Sequence, residues 1–443
     1  MSADKENEYF GDGLAEEIIN ELAKSKVPGM KVAARTSCLF FKGKDLEIGE
    51  IGKRLRVYHV LEVSVRKAGN HVRITAQLIK VNDGFHIWSE RYDREMTDIF
   101  AVQDEITQAV AAALRVKLSP EAAPQRRHVP NLRAYEAYLK ARNVWFTGRP
   151  ELLAQYRDLL ERAIELDSKF ALAYSFLGMY YTAQANMGYK AAREVIPSAI
   201  ALEQKALRVD PSIPEAHALL GVCIGDFEYD WNRAEQHWRL AMSREPVSRD
   251  VLFWYGNHHL LAVGRTSEAI DAMERGLEGD PLNLLYRVLY ARGLRLAGRL
   301  DDAEAELRSI LEMDENYSIA LGLLGSVCAQ QERYEEALAF TEKAHALMPW
   351  SALITGQLAA ILVRTGAAAR AQALVETLNP ETVTCASTGL AVFHALLGDH
   401  KHAGEWAERA IKEREVQMVQ NLSPFLRATT FWPALTRLMN LPG

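Results

Sequence analysis

Cysteine is scarce in this 443-residue chain, and the four present, at positions 38, 223, 328 and 385, are widely scattered. That pattern excludes a disulfide framework and a cysteine-based zinc site. Long apolar runs are missing too. The run from Leu353 to Val363 holds only 11 residues and is interrupted by Thr, Gly and Gln, whereas a membrane-spanning helix needs about 18 or more. No membrane span is therefore expected. The first residues, Met-Ser-Ala-Asp-Lys-Glu-Asn-Glu, have no basic start and no apolar core, so no signal peptide is expected and the cytoplasm is the default compartment. Nor is there an excess of positive charge. The net charge is −6; residues 1–130 carry 20 Lys and Arg against 19 Asp and Glu, which leaves 32 against 39 for the remainder. A nucleic-acid partner would call for a basic face in one half or the other, so none is expected.

Recognisable catalytic signatures are also absent. No G-x-S-x-G elbow or Walker-type loop occurs. Gly11-Asp12-Gly13 precedes a helix, but Glu16 stands where a dinucleotide fingerprint places its third glycine, so a helix N-terminal turn is expected instead. His394, His400 and His402 invite a metal reading. Residues two apart on a helix point about 200° apart, however, so solvated or groove-lining histidines are expected there. His258 and His259 are adjacent and cannot share a helix face. The expectation is a protein without catalytic residues, metal or cofactor.

What is present is a period. Alanines at 234, 269, 303, 337, 371 and 403 fall 35, 34, 34, 34 and 32 residues apart. Leu177-Gly178, Leu220-Gly221 and Leu324-Gly325 place a large-then-small pair earlier in the unit. Gly264, Gly298, Gly366 and Gly398 follow, where a first helix would end in left-handed geometry. Asp210-Pro211, Glu245-Pro246, Asp280-Pro281 and Met348-Pro349 close the second helix, since proline cannot continue it. Four landmarks sharing one period define a helix-turn-helix unit that buries its apolar face only by stacking on its neighbours. The pattern resembles the tetratricopeptide repeat family over residues 131–420, about eight helical pairs. One unit departs from it: Leu177 and Leu220 are 43 apart, so about nine extra residues lengthen the turn at 186–189 or the helix containing Pro197. Residues 421–443, with Pro424, Phe425, Phe431-Trp432-Pro433 and Leu435, read as an apolar cap.

Residues 1–118 follow a different rhythm. Leu14, Ile18 and Leu22 mark a helix over 13–24, Met30 to Ala34 a short strand, and Ile48, Ile51 and Leu55 a second helix. Val57, His59, Leu61, Val63 and Val65 alternate, as do Val72, Ile74, Ala76 and Leu78, around the turn Ala68-Gly69-Asn70. A further turn at Asn82-Asp83-Gly84 leads into Phe85-His86-Ile87-Trp88. Asp98 starts a helix to Leu118, and 119–130 is a proline-containing linker. The expected fold is thus a small α/β domain followed by an all-α superhelical solenoid.

Asn7-Glu8-Tyr9-Phe10-Gly11-Asp12-Gly13-Leu14, Ala34-Arg35-Thr36-Ser37, Phe41-Lys42-Gly43-Lys44, the stretch Val72 to Leu78, and Trp88-Ser89-Glu90-Arg91-Tyr92-Asp93-Arg94 together resemble the TolB amino-terminal-like domain family. That resemblance implies a bacterial sensing or docking module that commonly stands before tetratricopeptide repeats and behind an effector. Such an effector would be a winged helix, a nucleotide cyclase or a kinase. It also implies an apolar first strand upstream of Tyr9-Phe10, which residues 1–6 are too polar and short to supply. A sheet edge open to self-association is then expected.

In a stacked array the first helices line the concave side. Residues one turn apart there include Met179, Trp254, His258, Arg292 and Arg295, the candidate partner-binding groove. A largely apolar groove with two arginines suits an amphipathic or extended protein segment with some acidic character. Trp254 and Met179 could equally be inter-repeat core. Two functions stand open: a non-catalytic docking module, or the regulatory half of a bacterial signalling protein whose effector lies elsewhere.

Overall fold

The computed structural model describes residues 46–68, 71–95, 99–113, 130–146, 152–243, 247–421 and 432–441, with scattered positions between 15 and 44 and position 128. The chain divides into two compact units. One comprises residues 1–177 with 244–247 and 278–283; the other comprises 178–243, 248–277 and 284–443. Among the described residues no helix is long and apolar enough to cross a membrane.

The first unit holds an antiparallel sheet of three strands in the order β1 (His59–Ala68), β2 (His71–Lys80) and β3 (His86–Glu95). Alternation in the sequence becomes a two-faced sheet: Val72, Ile74, Ala76 and Leu78 of β2 are all buried, and Val65 faces Ile74 across the pair. A bulge at Leu78/Ile79 shifts the register of β3. Helix α1 (Ile48–Leu55) precedes the sheet and ends on Arg56 in left-handed geometry. After the sheet, α2 (Ile99–Ala113) buries Val102, Ile106 and Val110, which lie at steps of four along one face. Residues Ala15, Ile18, Ile19 and Leu22 are helical, with Ile18 and Leu22 buried. Val32 to Ala34, expected to be a strand, have no regular structure. The expected opening strand upstream of Tyr9-Phe10 lies outside the described residues. Two helices, α3 (Leu132–Phe146) and α4 (Leu153–Leu166), complete the unit's described elements up to α5.

From α5 (Ala171–Asn186) onward the chain is a series of helical pairs. The recurring alanines are the points of closest approach: Ala234, Ala269, Ala303, Ala337 and Ala403 are fully buried, and Ala371 nearly so. The turn glycines 264, 298, 366 and 398 all take left-handed backbone, with φ of 85°, 78°, 82° and 78°. Where the sequence offers no glycine, Glu332 takes that geometry, at φ 60°. The extra residues of the long unit are spread over both expected places. α5 has 16 residues, the turn runs from Met187 to Ala191, and α6 (Ala192–Val209) has 18 with Pro197 inside it. Replacing Ala337 with leucine is expected to cost ~1–3 kcal/mol by overpacking, while Ala369→Leu, on the exposed side of a second helix, should be close to neutral. Urea denaturation midpoints of the two variants check this; equal, small effects at both would break the register.

Two first helices change form part-way. α7 (Pro214–Cys223) runs into a π-helical stretch, Ile224–Glu228, and α9 (Arg249–Trp254) into another, Tyr255–Leu260. The spacing explains them. Several second-helix alanines pack under a first-helix glycine: Ala199 under Gly178, Ala269 under Gly256, Ala337 under Gly325. Counted from Ala199 through 234, 269, 303 and 337, the steps are 35, 35, 34 and 34. Both 35-residue steps contain a π stretch and both 34-residue steps do not. A π turn accommodates one additional residue without moving the helix ends, so the alanines stay in phase.

Candidate functional site

The two π stretches face the same region of the second unit. A π turn redirects the side chains it carries, and such turns are frequent at functional sites. The first presents Asp226 and the second presents Asn257 and His258; the next first helix, α11 (Leu284–Leu296), adds Arg292 and Arg295. Asp226 is buried, and its Oδ2 lies 2.8 Å from His258 Nδ1. Arg292 Nη2 donates to Asn257 Oδ1 at 2.6 Å. Burial pushes the Arg292 guanidinium down to about 10, opposed by the charge of Asp226. Arg295 falls further, to about 9, because burial is joined by repulsion from Arg292. Two guanidiniums out of water in one place are costly unless anionic charge is near. Asp226 is the carboxylate whose charge acts on Arg292.

The carboxy-terminal part of the chain covers this polar centre. In α19 (Val416–Asn421), Gln420 Nε2 donates to Asp226 Oδ2 at 2.9 Å and lies 3.3 Å from His258 Nδ1. Gln417 Nε2 donates to the Asn186 carbonyl at 3.0 Å. Arg414 Nη1 donates to the Phe227 carbonyl at 3.0 Å, and its guanidinium sits 4.3 Å over the Tyr229 ring. Behind these contacts Met418, Val419, Leu435 and Met439 share one apolar cluster with Tyr229, Trp231 and Ala262. Trp231 Nε1 donates to the Met439 carbonyl at 2.7 Å. The end of the array is thus fastened to the pair that carries the first π stretch.

Of the groove residues read from the sequence, His258 and Arg292 come together through Asp226 and Asn257, and Arg295 lies beside Arg292. Both arginines are buried, not set on a rim. Trp254 is half-buried and packs against the cluster of Phe253, Met273 and Tyr286. Met179 is half-buried on α5. His258 and His259 do diverge as adjacency requires: His259 Nε2 meets Glu235 Oε2 at 3.0 Å. Its pKa is lowered, chiefly by burial. Sequence reasoning missed Asp226, Asn257, Gln417 and Gln420. One signal was present, the 35-residue step from Ala234 to Ala269, which betrays the extra residue of the second π stretch.

Known proteins agree with the repeat reading. A family model for the tetratricopeptide repeat matches residues 260–326 and 329–387, and the chain carries tetratricopeptide repeats. Among curated proteins, Putative adenylate cyclase 3 of Rhizobium meliloti (strain 1021) is 38% identical over 227 residues. The match takes in 51% of this chain but spans only 38% of that relative's length. Similar solved structures include YrrB, described as a TPR protein with an unusual peptide-binding site. It is 21% identical with a TM-score of 0.29, covering 43% of this chain and 92% of that one. Another is the human IFIT1 dimer with PPP-AAAA, 12% identical with a TM-score of 0.48, covering 70% and 78%.

Proposed function

We propose that this chain is a non-catalytic docking module whose repeat groove takes a protein segment of acidic character. The observation that carries this reading is the polar centre on three consecutive first helices, where Arg292 and Arg295 are buried side by side near Asp226. An incoming acidic side chain would be drawn to the positive potential of that pair. Gln420 and Gln417 would then be occupants in cis, which a partner must displace or pack beside. The reading also takes 119–130 as the linker between a TolB-like α/β domain and the repeats, and the cytoplasm as the compartment.

The test uses the full chain and a fluorescent array of acidic 12-residue peptides, with lysine-substituted copies as controls. Loosening the cover with Gln420→Ala, which removes polar contacts but keeps the apolar cluster, should tighten acidic-peptide binding about 10-fold or more, since a lost hydrogen bond to a charged acceptor is worth ~1.5 kcal/mol or more. Trp254→Ala should weaken it. Acidic and lysine-substituted peptides binding alike, or an unchanged affinity in Gln420→Ala, would end the proposal.

A second reading, favoured by the cyclase relative, is that the module is the regulatory half of a bacterial signalling protein. The genomic DNA upstream of the Met1 codon decides it. An in-frame cyclase, winged-helix or kinase domain there supports the reading, and an unrelated gene ending immediately upstream removes it.

A further inference from the structure

Far along the chain from the groove residues, the turn between the last complete pair of helices brings three metal-ligating groups together. α17 (Ala386–Leu397) ends at Gly398, and α18 (His400–Lys412) starts under an N-cap made by Asp399, whose Oδ1 accepts from the His402 backbone N–H at 3.3 Å. The other carboxylate oxygen, Oδ2, lies 3.1 Å from His394 Nδ1 and 2.6 Å from His402 Nδ1. All three ligand atoms fall within 4.8 Å of one another. From these distances we infer that His394, Asp399 and His402 form a binding site for a divalent transition metal of the zinc, cobalt or nickel type.

The argument rests on the backbone first. Asp399 is fixed as a helix cap, His402 follows one turn later on the same face, and His394 comes from the preceding helix across a turn set by left-handed Gly398. The set therefore joins two helices and does not depend on residues two apart on one helix, which is why His400 is not in it. A tetrahedral site with metal–nitrogen and metal–oxygen bonds of about 2.0–2.2 Å separates neighbouring ligand atoms by roughly 3.3–3.5 Å. The two nitrogen–oxygen distances here need to open by only a few tenths of an ångström to about one. Two imidazoles and one carboxylate are the donors that borderline metals prefer, whereas calcium and magnesium require a cage of oxygens. Half of the His402 side chain and over a third of Asp399 are exposed, so water completes the coordination. With the metal in place, each imidazole carries its proton on Nε2 and the two Nδ1–Asp399 contacts give way to coordinate bonds. The metal then staples α17 to α18, and the opposite face of α18 bears Ala403, Ala407 and Ile411, which pack with Met418 and Leu435.

The experiment takes the untagged full chain after chelator treatment and titrates it with cobalt(II), read by visible absorption, and with zinc, read by calorimetry. One equivalent should bind at micromolar affinity, with the strong visible bands of four-coordinate cobalt. His394→Gln, His402→Gln and Asp399→Asn should each weaken binding at least ~10-fold, since each removes one of three protein ligands; the asparagine keeps the cap. His400→Gln should bind like the parent. Melting curves without metal establish that each variant is folded. Absence of saturable uptake by the parent would overturn the site, as would uptake that His394→Gln and His402→Gln leave intact or that His400→Gln removes equally.

Discussion

Replacing Gly356 with alanine should destabilise the second unit by about 3 kcal/mol or more, beyond the ordinary range for overpacking. Gly356 of α15 (Ala352–Arg364) and Gly389 of α17 lie where two first helices cross with no side chain between them. A methyl group on Gly356 would stand 2.0 Å from the Gly389 carbonyl oxygen and 2.7 Å from its carbon. Those atoms are backbone. No rotamer change relieves the clash, and the helices themselves have to separate. Gly389→Ala should behave alike, since its methyl would stand 2.3 Å from the Ala352 carbonyl oxygen. Gly366→Ala, in a turn with open space around it, should cost only ~1 kcal/mol, the price of a left-handed alanine. Chemical denaturation of the three variants gives the comparison. A Gly356→Ala protein as stable as Gly366→Ala would mean the two helices are not in contact there.

Asp226→Ala should be nearly as damaging, at ~3–5 kcal/mol, because it leaves buried positive charge without its carboxylate. The loss has a signature that simple truncation lacks. Removing the cation as well, in Asp226→Ala/Arg292→Met, should restore a large part of the stability, with a coupling of at least ~1 kcal/mol between the two positions. Asp226→Asn should fall between, since it can keep a hydrogen bond with His258 but not the charge. Denaturant midpoints of the four proteins close the cycle. Strictly additive losses would show that Asp226 and Arg292 do not act on each other.

These two residues mark where the sequence was legible and where it was not. Recurring alanines, turn glycines and closing prolines are imposed by stacking, and stacking repeats, so they show in the sequence as a period. The alternation of β2 is likewise forced by a sheet with one buried face. The polar centre is different. Asp226 and Asn257 reach it because their helices switch to π geometry, whereas a regular 3.6-residue wheel would assign them other faces. Gln420 reaches it from 194 positions further along than Asp226, a tertiary approach with no local trace. Arg292 and Arg295 were found because their helix is regular throughout, and His258, inside the second π stretch, was named from the same one-turn count. The His394–Asp399–His402 cluster escaped a helix-only argument because one member belongs to the preceding helix.

The π stretches also make the polar centre fragile in a genetic sense. Each is the footprint of a single residue added to a 34-residue unit. Losing one codon within 224–228 would let that stretch revert to plain helix, re-aiming the side chains within it, Asp226 among them, while the helix on either side keeps its phase. The repeats on either side would still stack, because their alanines would return to the common spacing. One in-frame deletion could therefore erase the meeting of Asp226 with His258 and Gln420 while sparing the scaffold, and one insertion could have created it. A polar centre of this kind can be gained or lost in a single mutational step, on a scaffold that selection for folding alone would preserve.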